Sequence, residues 1–447
     1  PAPRTADVSR GEVLHASRGE VLLETDHAAL VWLTSILRRA MLGWRFWALV
    51  AMLPLAGQSF QYIVDVLPAY ALTKIWPLII LPMAFWAFGR LHPPYRLILL
   101  ATMFWAFAIT PLIGVFELGD SIVSAVSTTA KVWSLTTALS TVAMFAALRT
   151  RPEDLTRAVM GWGATTFVMM TVLWFVVPRS AYDNGLNETK LFLADIERGY
   201  RIYMPMFFGL LTVFALNRSF WMRPKLWKPL AVAVCFVLLV TIFKQRTMIA
   251  GAALVVILGG VLSFPRWRIP ILAGMVVLLL LAAPALWAYA HSAALAKSLG
   301  GSLSNRQMEI AKGLEFLNAE PHRWLFGAGA ATRVGDVSLA DIVGAPGFFL
   351  ADLGWLGVFF EYGSVGVLLL LLLHLAGLRI TWRAARLGDP VARATFDYVL
   401  YIVLISPIVP VTFAPGELCT CMAMAFWYLR TSPEPTPGPA SAEPLRG

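Results

Sequence analysis

The sequence predicts an all-α polytopic membrane protein with about 12 transmembrane helices and one large periplasmic loop, and three observations lead there. Hydrophobic residues make up 58% of the 447 and charged residues only 14%, where a soluble domain carries roughly a quarter charged. Mean hydropathy is +0.70. Long uncharged stretches recur, each close to the ~20 residues that span the hydrocarbon core as a helix. Basic residues cluster after alternate stretches, as the positive-inside rule expects of cytoplasmic loops.

The apolar segments run near 46–66, 69–89, 97–117, 127–148, 158–178, 202–221, 229–243, 247–264, 270–290, 355–378, 394–411 and 414–430. Every even-numbered one ends in cations: Arg90 and Arg96; Arg149, Arg151 and Arg157; Arg218, Arg223, Lys225 and Lys228; Arg266 and Arg268; Arg379, Arg383, Arg386 and Arg393; Arg430. Arg38, Arg39 and Arg45 precede the first. Those loops and both termini are therefore expected in the cytoplasm. The chain divides into a cytoplasmic segment 1–43 with an amphipathic stretch, helices one to nine over 44–290, a periplasmic loop 291–354, helices ten to twelve over 355–430, and a disordered tail 431–447. The first segment repeats SRGEVL, at Ser9–Leu14 and Ser17–Leu22.

The charge is +10, but its distribution over alternate loops explains it without a nucleic-acid partner. Cys235, Cys419 and Cys421 are too few for a disulfide framework, and the last two point apart on a helix. They read as packing residues, and no metal or cofactor is expected.

Three connections on the outer side break the rule. Residues 178–201 carry Arg179, Lys190, Arg198 and Arg201; residues 243–247 carry Lys244 and Arg246; residues 291–354 carry Lys297, Arg306, Lys312, Arg323 and Arg333. Solvated loop cations account for Lys297, Lys312 and Arg333. Arg246 sits in a short connection between two spans, where an ionisable group marks a functional site by default. If helical, Arg198 and Arg201 share a face and Glu197 braces Arg201. Guanidinium forks match phosphate oxygens and stay charged, so the ligand implied is a phosphate or pyrophosphate at the membrane surface, such as a lipid carrier.

Lys244-Gln245-Arg246-Thr247 opens a span, Asn305-Arg306 begins a helix-like stretch, and Leu325-Phe326-Gly327-Ala328-Gly329 follows. Asp352-Leu353-Gly354-Trp355-Leu356-Gly357 then leads to Glu361-Tyr362-Gly363-Ser364-Val365-Gly366. In this order the motifs resemble those of the O-antigen ligase and polymerase superfamily. The resemblance implies a metal-independent glycosyltransferase with a GT-C-like fold in the bacterial inner membrane, its active site periplasmic. The donor would be an undecaprenyl-pyrophosphate-linked oligosaccharide and the acceptor a glycan or glycolipid. Membrane lipids surround it, and a flippase and a chain-length regulator are partners to consider. Arg246 and Arg306 match positions the family uses around the pyrophosphate. Family ligases carry His nine residues before the Glu-x-Gly motif, and this chain has Asp352 there. That difference leans towards the repeat-unit polymerase. A ligase acting on lipid A–core is one alternative. A transporter or flippase of an anionic lipid-linked substrate is the other, although no inverted repeat is visible.

Displacing a pyrophosphate needs fixed cations at the leaving group and a base for the acceptor hydroxyl. Arg246, Arg306, Arg201, Arg198 and Lys190 suit the first role and Asp352 the second. His322 is the candidate to replace the family's imidazole. Glu361, on a continuous helix, would face away from Asp352 at ~13 Å and brace another helix. Glu309, Asp336 and Asp341 stay open as acids, and Gly327, Gly329, Gly354 and Gly357 read as allowing tight turns and close approach.

Overall fold

A computed structural model describes residues 43–432 apart from 62, 64–65, 184–190, 196–197, 265, 267–268, 272, 276, 278–280, 282–300, 330–338, 345–347, 349 and 410–414. The amphipathic N-terminal segment with its repeat, most of the ninth apolar segment and the tail therefore lie outside the described residues.

Helices dominate. In chain order they are α1 (Gly43–Ala56), α2 (Leu67–Ile79), α3 (Leu81–Arg90), α4 (Arg96–Phe104), α5 (Thr110–Leu118), α6 (Ile122–Thr128), α7 (Thr137–Leu148), α8 (Pro152–Val176), α9 (Phe207–Met222), α10 (Trp227–Leu238) and α11 (Arg246–Leu262). After the undescribed stretch come α12 (Gly301–Ala319), α13 (Pro321–Phe326), α14 (Leu339–Val343), α15 (Trp355–Ala385), α16 (Pro390–Ile405) and α17 (Gly416–Thr431). Two short strands, β1 (Phe192–Asp195) and β2 (Gly199–Ile202), form a hairpin before α9.

Among the described residues five stretches, Leu67–Arg90, Arg96–Leu118, Ile122–Leu148, Pro152–Val176 and Trp355–Ala385, are long and apolar enough to cross a membrane. Their outward faces carry Phe85, Leu97, Phe116 and Phe175, all exposed, a surface that water would penalise and a bilayer accepts. The architecture is that expected of an all-α membrane protein. α9 and α17, 16 residues each, run through the interior and are buried along most of their length.

Cross-links between the helices give the bundle two chemically distinct ends. At one end the Trp427 indole donates to Thr150 O (3.0 Å), Tyr428 meets Thr156 (2.8 Å) and Arg430 reaches Leu91 O (3.5 Å). Arg90, Arg149, Arg151, Arg157 and Arg430, next to or among these linked residues, lie at this end. Arg218 is different: it is buried, holds Asp397 bidentately at 2.6 and 2.7 Å, and donates to Gly259 O at 2.7 Å. It is an internal strut between α9, α11 and α16, not a loop cation.

At the opposite end the Trp355 indole donates to Ser406 Oγ (3.0 Å), and the Gly416 amide donates to Gln58 Oε1 (2.9 Å). Here α12, α13, α14 and the 3₁₀ turn Leu350–Leu353 pack on the start of α15. Leu317, Ala328, Leu339, Val343, Phe348, Leu350, Leu353 and Phe360 form their own small core. The described part of the large loop is thus helical and folded against the bundle.

Several helices break inside the apolar region. Ile80 separates α2 from α3, Trp105–Ile109 is a π-helical turn between α4 and α5, and Thr129–Thr136 is 3₁₀. Within α15, Gly363 adopts φ 62°, ψ −177°, which breaks the helix there. The segment Leu325–Gly329 docks on that break: Ala328 N–H donates to Phe360 O (2.7 Å) and Gly329 N–H to Glu361 O (3.2 Å). Two motifs far apart in sequence are therefore one structural unit.

Candidate functional site

The residues 192–202 do not form the helix that would put Arg198 and Arg201 one turn apart. Phe192, Tyr200 and Ile202 favour strand, and Gly199 at φ 66° permits the tight reversal. The register pairs Phe192 with Ile202, Leu193 with Arg201, Ala194 with Tyr200 and Asp195 with Gly199. Side chains alternate across such a ribbon, so Arg201 and Asp195 share one face while Tyr200 and Phe192 share the other. The aromatic face meets the Tyr182 ring at 5.2 and 5.5 Å, Trp174 lies 6.4 Å beyond it, and the Arg179 guanidinium sits 5.5 Å over Tyr200.

On the polar face one carboxylate serves two guanidinium groups. Asp195 Oδ2 is 3.5 Å from Arg201 Nη2 and 3.7 Å from Arg198 Nε. These are loose ion pairs, too long for good hydrogen bonds. The brace is therefore Asp195; Glu197 lies outside the described residues. Arg198 Nε and both Nε and Nη1 of Arg201 are sealed from solvent and make no hydrogen bond. Burial and then the neighbouring Arg198 pull the Arg201 pKa below its ordinary value, with Asp195 opposing. A dianion would relieve both the unmet donors and the cation crowding.

Lys244 fastens this hairpin to the bundle. Its backbone is left-handed at φ 56°, in the turn between the π-helical end of α10 (Leu239–Phe243) and α11. From there Nζ donates to Arg198 O at 3.0 Å and lies 5.7 Å over the Trp174 ring. Arg246 opens α11 two residues later, exposed at the same end.

Next to the hairpin are the polar side chains of Tyr203, Tyr398, Tyr401 and Glu417. The Tyr203 ring stacks on Phe243 (6.0 Å) and is within electrostatic reach of both Arg201 and Glu417. Glu417, in the first turn of α17, is partly exposed and accepts from the Tyr398 hydroxyl at 2.8 Å. Tyr401 lies near the same carboxylate, its buried hydroxyl without a hydrogen-bond partner.

The other nominated residues are distributed around this end. Lys190 lies outside the described residues. Arg306 is half-buried on α12, which packs on α13 and α15. Asp352 belongs to the 3₁₀ turn Leu350–Leu353, and its side chain lies outside the described residues. The Cβ position of Gly354, which follows at φ 59°, is 2.0 Å from Pro407 O, so this turn abuts the end of α16. The break at Gly354 also means that Asp352 and Glu361 do not share a continuous helix, so helical spacing does not set their separation.

His322 Nε2 is 2.5 Å from Glu117 Oε1, and Arg323 Nε donates to Glu117 Oε2 at 3.1 Å. Both therefore tie α13 to the end of α5. Glu361 is buried and braces a neighbouring helix through Lys131, whose Nζ is 2.7 Å from each carboxylate oxygen. Among the described residues no group of three or more His, Cys, Asp or Glu side chains could hold a metal. Cys419 and Cys421 are core residues.

The sequence reading passed over Glu417, Tyr203 and Lys131. Lys131 was signalled by its position, a lone cation inside an apolar segment. Glu417 carried no comparable signal, since it opens a helix among ordinary turn residues. Compared with models of known families and with curated proteins, the chain matches neither a family model nor a curated protein.

Proposed function

We propose that this protein is a glycan polymerase that joins undecaprenyl-pyrophosphate-linked oligosaccharide repeat units into a cell-surface polysaccharide. The reading places the hairpin end of the bundle at the periplasmic face and the basic end in the cytoplasm, in line with the positive-inside rule. One observation carries it: Arg198 and Arg201 present buried guanidinium donors without hydrogen-bond partners, crowded around a single carboxylate and fastened by Lys244. Charge of that kind, fixed before reaction, suits a pyrophosphate that gains negative charge as the sugar leaves. Arg246 and Arg306 would extend the same field towards the lipid and the sugar chain. The reaction needs no metal in this scheme, because arginine supplies the countercharge.

A ligase uses the same chemistry with lipid A–core as acceptor, and only the acceptor separates the two. The transporter reading has its own support in the broken helices and in the Lys131–Glu361 pair within the apolar region, features that line pathways in transporters. The deciding experiment incubates the purified protein, without added metal, with the host's lipid-pyrophosphate repeat unit, with and without lipid A–core. A glycan ladder in the absence of lipid A–core is the expected result. Product only when lipid A–core is present would assign a ligase. No product in either tube, with movement of the lipid across proteoliposomes, would assign a transporter.

A further inference from the structure

We propose that Glu417 is the proton acceptor for the attacking hydroxyl, a role the sequence had assigned to Asp352. The inference rests on the glycosyl-transfer reading above and deepens it by naming the base. A base in this reaction must lie close to the leaving-group cations, reach solvent-borne substrate, and be held so that one oxygen stays available. Glu417 meets each demand. Tyr203, which directly follows β2, is within electrostatic reach of both Glu417 and Arg201, and the Phe207 ring at the start of α9 packs on Tyr398, the residue that bonds Glu417 (4.9 Å between ring centroids). Glu417 as a residue is partly exposed, and it lies in the first turn of α17 at the end of the bundle that carries the hairpin. One oxygen, Oε2, is engaged by the Tyr398 hydroxyl at 2.8 Å, which fixes the rotamer and directs Oε1 elsewhere. The buried Tyr401 hydroxyl beside it makes no hydrogen bond, an arrangement that costs stability unless a polar group meets it. An acceptor sugar carries such groups in excess.

The step balances without any further reactant. The acceptor hydroxyl gives its proton to the Glu417 carboxylate as its oxygen forms the new bond to the anomeric carbon. The bond from that carbon to the pyrophosphate oxygen breaks, and the electron pair leaves with the lipid pyrophosphate, held by Arg201 and Arg198. Glu417 then releases the proton to water.

The test uses the full-length protein in detergent and three readouts: transfer, binding of undecaprenyl pyrophosphate, and the pH profile of the rate. The groups facing Glu417 are Tyr398 and Tyr401 from α16, Tyr203 and through it Arg201 from the hairpin side, and Cys421 on its own helix. Glu417→Gln should bind the lipid pyrophosphate as the wild type does and transfer about 10²–10⁴-fold more slowly. The fall in wild-type rate towards low pH should be absent from the residual rate of the variant. Tyr398→Phe, which removes only the hydroxyl, is the companion should the amide variant fail to fold. It should keep binding and move the acidic limb. Normal transfer in Glu417→Gln, loss of binding together with transfer, or an unchanged acidic limb in Tyr398→Phe would each overturn the assignment. A wild type that binds the lipid and transfers, beside an active Glu417→Gln, would leave the polymerase reading standing and remove only Glu417. A wild type that neither binds nor transfers would remove both.

Discussion

Lys131 and Glu361, 230 residues apart in the chain, meet at 2.7 Å inside the bundle, with Glu361 only 1% exposed and Lys131 21%. The pair joins the 3₁₀ segment Thr129–Thr136 to the break in α15, and the Glu361 carbonyl also receives Gly329 N–H. A buried ion pair contributes little net stability, but an orphaned partner is costly. Lys131→Met should therefore destabilise the protein by about 3 kcal/mol, whereas Lys131→Met/Glu361→Gln should recover much of that loss. Thermal unfolding in detergent measures both. Equal destabilisation by the single and double variants would show that the two charges are not coupled.

The break at Gly363 should be intolerant of any side chain. A Cβ there would lie 2.3 Å from Leu325 O and 2.5 Å from the Phe326 carbonyl carbon, at a φ of 62°. Gly388 also has positive φ, at 89°, but nothing lies within 4 Å of its Cβ position. Gly388→Ala should cost about 1 kcal/mol of backbone strain. Gly363→Ala adds displacement of the Leu325–Gly329 segment, for about 3 kcal/mol in all. Increased proteolysis near Leu325 in Gly363→Ala and not in Gly388→Ala would locate the damage; identical behaviour would refute it.

The difference between these glycines shows what a sequence can and cannot disclose. Apolar length marked the stretches that form most of the described helices, because a span needs a long uncharged run. Charge alternation marked Arg198, Arg201, Lys244 and Arg246 as misplaced charge. The hairpin was not legible, because the three-residue spacing of Arg198 and Arg201, which with Asp195 lie on its described polar face, suits a helix equally well. Glu361 was correctly read as a brace, yet its partner was hidden in a segment that looks like an ordinary span. Glu417 becomes a candidate only through Tyr203 and Tyr398, neighbours that no local pattern announces.

His322 should act as a latch for α13. It bonds to Glu117 while half exposed, so His322→Ala should cost less than about 1 kcal/mol. Arg323 shares that carboxylate, lies 4.3 Å over the Phe316 ring and donates to Phe316 O at 3.3 Å. Its removal should be the more damaging of the two in thermal unfolding. Transfer by His322→Ala should stay near the wild-type rate. A large loss of turnover with normal stability would restore His322 as a substrate contact.

Arg201 offers the most direct test of the pyrophosphate site. Hydrogen bonds to charged groups contribute about 1.5–3 kcal/mol each, so Arg201→Ala should weaken binding of undecaprenyl pyrophosphate by about 10–100-fold. Folding should survive, since the ion pair lost among the described residues is the loose one to Asp195 at 3.5 Å. Arg201→Lys retains the charge without the planar fork and should fall between the two. A pyrophosphate contact also predicts that undecaprenyl monophosphate binds more weakly than the pyrophosphate and gains less from Arg201. Equal affinities of wild type and Arg201→Ala for the pyrophosphate lipid would remove the hairpin from the site and return Arg246 and Arg306 as the residues to examine.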